Sequence, residues 1–172
     1  EEERRVGLEG IGRWSPGNEV WLITAGGALF AAFPPVYAVL TSGAYLAVVL
    51  FLLTLIFRGV SLEFRSKIEG VGWRHFWDNA FGLSSLLAAL LLGVALGNIV
   101  QGFPIGMSGN IEGGLPMLLN LPALLFGIAL VIWLTLHGAA YLMIKSEGPL
   151  FDRTASCIRP LGLAALLVFV FI

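Results

Sequence analysis

The chain has 172 residues, of which 58% are hydrophobic and only 12% charged, with a mean hydropathy of +0.90. A soluble domain carries about 25% charged residues, so this composition excludes a soluble enzyme and points to a membrane protein. The formal net charge of −1 leaves no unbalanced basic patch for nucleic acid. The single cysteine, Cys157, excludes an intrachain disulfide, and no CxxC or Cys/His cluster suggests a metal site.

Residues 1–19 carry Arg4, Arg5 and Arg13 against five Glu and read as a surface segment without the apolar core of a signal peptide. From Val20 to Phe57 the 38 residues hold no charge. As one helix they would reach about 57 Å, nearly twice the ~30 Å hydrocarbon core. Two crossings are therefore expected, over about 18–40 and 43–62. The turn falls between Pro34 and Gly43, where Pro34-Pro35 and Thr41-Ser42-Gly43 cluster. A polar loop from Arg58 to Asp78 follows, ending on Trp73 and Trp77, which suit the aromatic belt of a membrane surface. The third span is expected over about 79–101, with Gly93 and Gly97 at the spacing that lets helix backbones approach. After a Gly-rich loop the fourth runs over about 117–144 and holds His137.

A further polar loop precedes an apolar run from about 160. Leu161–Ile172 supplies twelve residues where a span needs about 20. The expectation is an all-α integral membrane protein: four complete transmembrane helices and the start of a fifth, cut from a longer chain. All ten Lys and Arg fall in three segments. By the positive-inside rule 1–17, 58–78 and 145–159 are expected to be cytoplasmic.

Ionisable residues at membrane depth are functional candidates by default. Glu19 opens the first span, either as a helix-start anchor or as a group for proton transfer or partner contact. Asp78 holds the matching position before the third span and reads either as a structural cap, the favoured reading, or as part of a proton route. His137, beside Gly138 and Ala139, suits an interhelical hydrogen bond, a proton path or a haem axial ligand. No phosphate loop or hydrolase triad is present, so these residues alone give a membrane protein with no catalytic set of its own. A transporter or channel half with a midplane site at Pro34-Pro35 and His137 is the competing reading, although no second Pro-Pro break pairs with the first.

The run from Gly17-Asn18-Glu19-Val20-Trp21 through Ala25-Gly26-Gly27-Ala28 to Pro34, then Tyr37 and Ser42-Gly43-x-Tyr45, resembles subunit II of the cytochrome bd-type quinol oxidases. Similar stretches follow in family order. They are Arg58-Gly59-Val60 with Glu63 and Arg65-Ser66-Lys67, then Trp73 with Trp77-Asp78, and Gly97-Asn98 with Gln101-Gly102-x-Pro104. Leu136-His137-Gly138-Ala139-x-Tyr141-Leu142-x-x-Lys145-x-Glu147-Gly148 completes the set. The resemblance implies roughly the first half of that subunit, without its N-terminal helix and second four-helix bundle. It implies a plasma-membrane partnership with a subunit I that bears haem b, haem d and the quinol site, and with a small accessory subunit. This chain itself would then ligate no haem. The complex would oxidise quinol and reduce oxygen to water. Subunit II would contribute a scaffold, a proton route and oxygen access, with Trp21 near the oxygen entrance. One departure stands out. The family reads Trp-Asp-Gly-Asn where this chain reads Trp14-Ser15-Pro16-Gly17-Asn18. The acid is replaced by a serine, which has no accessible proton-exchange pKa. Either the proton route has moved, with Glu19 the candidate to carry it, or this subunit does not supply one. Gly26, Gly27, Gly93, Gly97 and Gly138 are expected to pack against other helices.

Overall fold

The computed structural model describes residues 2–12, 15–107 and 109–171, and the described residues are almost wholly helical. Helix α1 (Glu2–Gly12) leads into α2 (Ser15–Ala32), α3 (Pro34–Gly43) and α4 (Tyr45–Phe64). After a short turn come α5 (Val71–Gln101), the single turn α6 (Gly114–Leu118), α7 (Leu121–Lys145) and α8 (Pro149–Phe171). Four of these are long and apolar enough to cross a membrane: Tyr45–Phe64, Val71–Gln101, Leu121–Lys145 and Pro149–Val170.

The first crossing is built differently from the sequence reading. Residues 34–43, where the turn was expected, are helical, and the backbone leaves helical geometry at Phe33 before that stretch and at Ala44 after it. Proline lacks an N–H and kinks a helix, yet bonding resumes on both sides: Phe33 N donates to Leu29 O and Tyr37 N to Phe33 O. The same bonding runs across the second break, where Ala44 N donates to Leu40 O and Val48 N to Ala44 O. Gly43, the last residue of α3, lies directly against the Ile111 side chain in the loop before α6. This contact puts the end of α3 beside the C-terminal end of α5, so α2 and α3 together reach that side.

Two further boundaries move. The expected twenty-residue polar loop from Arg58 is mostly helix, with only 65–70 outside α4 and α5. At 31 residues, α5 is about 46 Å long and overshoots the ~30 Å core, so its first turns stand at the membrane boundary. The last helix begins at Pro149, not near 160, because Asp152, Arg153 and Arg159 sit within its first three turns.

The core is the antiparallel set α4–α5–α7, with α8 packed on α7. A Cβ placed on Gly93 would lie 2.6 Å from Gly127 Cα, and one on Gly97 would lie 2.8 Å from Ala123 Cα. Association in lipid relies on such close packing, because lipid tails are as apolar as the side chains. The hydroxyls of three buried residues are satisfied within their own helices: Thr54 Oγ1 donates to Phe51 O, Ser61 Oγ to Phe57 O and Ser84 Oγ to Phe81 O. This local bonding lets polar side chains sit between α4 and α5 without partners across the interface.

Candidate functional site

The α4–α5 turn is held by charge and aromatic rings. Asp78 is the eighth residue of α5, not its cap; Gly70 occupies the cap position and makes no side-chain cap bond. Its carboxylate accepts from Arg65 Nε at 2.5 Å, with Arg65 and Asp78 side chains only 10% and 13% exposed. Arg4, from α1, adds a bond at 3.1 Å from a largely exposed side chain. A charged side chain this buried is retained only with a partner. Arg65, just past the end of α4, supplies that partner across the turn.

Aromatic side chains close the same end. Trp73 Nε1 donates to the Phe64 carbonyl at 2.7 Å, meeting one of the acceptors a helix C-terminus leaves open. Trp77 is buried with Phe64, Trp73 and Phe76 at centroid distances of 5.4, 5.6 and 5.1 Å, all edge-to-face, the arrangement aromatic quadrupoles favour. Two turns further along α4, the Arg58 guanidinium lies 5.9 Å from the centroid of the Phe81 ring. The buried atoms Arg58 Nε, Trp77 Nε1 and Ser85 Oγ make no hydrogen bond among the described residues. Beside this seam a cavity of about 540 Å³ runs between α4 and α5, lined mainly by leucines with Phe57 and Phe76.

The opposite end of α5 carries an amide network. Asn98 Nδ2 donates to Val94 O and to Leu118 O, both at 2.8 Å. Asn120 Nδ2 donates to Asn98 Oδ1, and Asn120 Oδ1 accepts from Ala123 N as the N-cap of α7. Gln101 Nε2 donates to Gly97 O and Asn120 Oδ1. Three amides thus tie the ends of α5, α6 and α7. Sequence reasoning singled out neither this network nor the Arg65–Asp78 pair. The signal available was a polar residue, Asn98, following Gly97 deep in an apolar run.

Of the residues singled out in the sequence, the structure gathers few. Glu19 lies in the second turn of α2, half-buried and engaged in a contact of its own. Helix α2 packs chiefly against α1, α3 and α4, not the helices that carry Asp78 and His137. Trp21 is 73% exposed and His137 is exposed on α7. A Cβ on Gly26, Gly27 or Gly138 would meet nothing within 4 Å, unlike Gly93 and Gly97. The departure at Trp14-Ser15-Pro16 falls outside the described residues at Trp14, as do the side chains of Ser15 and Pro16. No group of three or more His, Cys, Asp or Glu that could hold a metal ion occurs among the described residues.

Against known proteins, the family described as "Cytochrome bd terminal oxidase subunit II" matches residues 1–172. The chain is 42% identical over 171 residues to cytochrome bd-I ubiquinol oxidase subunit 2 of Escherichia coli, covering 97% of this chain and 45% of that protein. It is 40% identical over 174 residues to a probable cytochrome oxidase subunit 2 of Haemophilus influenzae, covering 99% and 46%. With cytochrome bd ubiquinol oxidase subunit 2 of Bacillus subtilis it shares 37% identity over 153 residues, covering 89% and 45%. The chain spans about half the length of the curated relatives it matches.

Proposed function

The chain belongs to the cytochrome bd terminal oxidase subunit II family, and on that premise we propose that it works in a membrane complex that oxidises quinol and reduces oxygen to water. The observation that carries this reading is the family match over every residue of the chain. In the proposed complex a partner subunit bears haem b, haem d and the quinol site, with a small accessory subunit beside it. Quinol gives up two electrons and two protons, and each oxygen molecule takes four electrons and four protons to form two waters.

In this proposal the chain holds no haem of its own. His75 and His137 sit on different helices, both are exposed, and neither lines the α4–α5 cavity. No step is therefore routed through haem here, and the role proposed for the chain is that of scaffold. The Asp78–Arg65 pair at one end of α5, the amide network at the other and the glycine contacts between them support that role. A proton route through Glu19, Asp78 or His137, and oxygen access near Trp21, are the finer parts of the proposal. Within it, Asp78 is the weakest proton carrier, because two arginines hold its charge. Residues 1–17, 58–78 and 145–159 face the cytoplasm of a prokaryotic cell in this reading.

The transporter reading gains nothing from the structure, since the Pro34-Pro35 break is a bend within a continuing helix. The test is purification of the full-length subunit from its native membrane by a tag on that subunit. Expected are a co-purifying haem-bearing partner, a reduced-minus-oxidised spectrum with b- and d-type bands, and quinol-driven oxygen consumption. A stable haem-free homo-oligomer that consumes no oxygen would refute the proposal.

A further inference from the structure

Two nitrogen-bearing rings share one bare face of α7. Trp133 is 61% exposed, and His137, one turn on, is exposed as well. Neither makes a hydrogen bond among the described residues. The stripe continues through Ala140 to Ile144, also exposed. Elsewhere α5 meets this helix at Gly127 and Ala123 and α8 lies along it, and the exposed positions Ile128, Leu134 and Thr135 carry no ring N–H.

The depth of these rings decides what can cover them. Helix α7 runs from Leu121 to Lys145, so Trp133 stands at its midpoint and His137 about 6 Å from it along the axis. With a hydrocarbon half-thickness of about 15 Å, His137 is then roughly 9 Å inside the boundary. Tryptophan is favoured at the headgroup level, not at the centre, and ionisable side chains within a span face protein or water, not lipid. Lipid tails offer no acceptor for either N–H. The indole N–H can only donate, so whatever covers this face must present an acceptor.

This step rests on the family reading above, in which the relatives are about twice as long as this chain. We propose that the Trp133–His137 face of α7 is an interface for a transmembrane helix from the part of the subunit beyond these residues, and that this helix presents a side-chain oxygen at the depth of His137. Helix α8 already packs on α7, so helices that follow α8 in the chain are the ones delivered nearest this face.

The test uses the full-length subunit in its assembled complex. Trp133 is replaced by the photoreactive residue p-benzoylphenylalanine, which is of similar bulk, and the irradiated complex is digested for mass spectrometry. The expected result is a cross-link to a peptide of the same subunit lying outside residues 1–172. A cross-link to lipid, or only to another subunit, overturns the proposal. In parallel, His137→Gln, which keeps an N–H donor, is expected to assemble with the thermal midpoint of the parent complex, and His137→Leu to lower the midpoint or lose assembly. A His137→Leu complex as stable as the parent overturns the proposal. So does loss of a haem band in an assembled His137→Gln complex, which would make this histidine a ligand. The family reading fails separately, if the parent complex carries no haem-bearing partner; the cross-linked peptide is read either way.

Discussion

Replacing Asp78 with Asn removes one charge from the α4–α5 turn while keeping the side-chain shape. The pair it breaks is short, 2.5 Å from Arg65 Nε to Asp78 Oδ1, and both side chains are at most 13% exposed. Removing one partner of such a pair leaves the other charge buried and alone, at a cost of about 3–5 kcal/mol. At 1.4 kcal/mol per factor of ten, this shifts the unfolding equilibrium of the helical hairpin by about two to three and a half powers of ten. The Arg4 contact adds little: its side chain is 56% exposed, and exposed pairs are worth about 0–1 kcal/mol. The assay is denaturant unfolding of the full-length complex in micelles for Asp78→Asn, Arg65→Gln, the double variant and Arg4→Ala. The double variant is expected to lose much less than the sum of the two singles, because each single already forfeits the pair. A loss below about 1 kcal/mol in both singles, or strict additivity in the double variant, would refute the reasoning.

Gly97→Val places a branched side chain where a Cβ alone would lie 2.8 Å from Ala123 Cα; parting α5 from α7 is expected to cost about 1–3 kcal/mol or more, read as a lower thermal midpoint, whereas Gly26→Ala, with nothing within 4 Å, is expected to leave the isolated segment unchanged. Asn98→Leu strips the Leu118 carbonyl of its partner and leaves Asn120 Nδ2 with Met117 O alone; the expected loss is about 1–3 kcal/mol, with faster amide exchange in α6 and the first turn of α7. For Glu19→Gln the expectation from the proposed function is slower oxygen reduction at unchanged haem content, and equal turnover across pH would remove Glu19 from the proton route.

The apolar segments between residues 18 and 145 could be read from length and basic-loop alternation, because both are one-dimensional properties; three of them, in α4, α5 and α7, form single helices long and apolar enough to cross a membrane. The ends of the helices could not be read in this way. Asp78 looked like a cap because it follows the last charge cluster before an apolar run, but a 31-residue helix extends past the hydrocarbon and carries charge in its first turns. The stretch Pro34–Gly43 reads as a turn in the sequence but is helical in the structure, for a related reason. Two missing N–H groups bend a helix in lipid without ending it, because the backbone must still be satisfied internally. The Arg65–Asp78 pair and the Asn98–Asn120 network join residues 13 and 22 apart, and each needed the fold to bring its partner into range. The glycines divide for the same reason. Gly93 and Gly97 face α7, while Gly26, Gly27 and Gly138 face nothing among the described residues, a distinction their shared composition does not carry.

That division also separates two kinds of bare surface. Within the spanning windows α5 is 33% buried, α4 and α7 are 11% buried, and α8 is not buried at all, so only α5 lies inside a bundle. What stands on the outward faces then matters more than how much of them is exposed. On α8 the exposed side chains past the charged turns are Leu163, Leu166, Leu167, Phe169 and Val170, all of which lipid solvates without cost. On α7 the exposed stripe carries Trp133 and His137, whose N–H groups lipid cannot satisfy. Composition would rank both helices as equally fit to meet the bilayer. The position of two ring nitrogens about the middle of α7 makes one of them a lipid face and the other a protein interface.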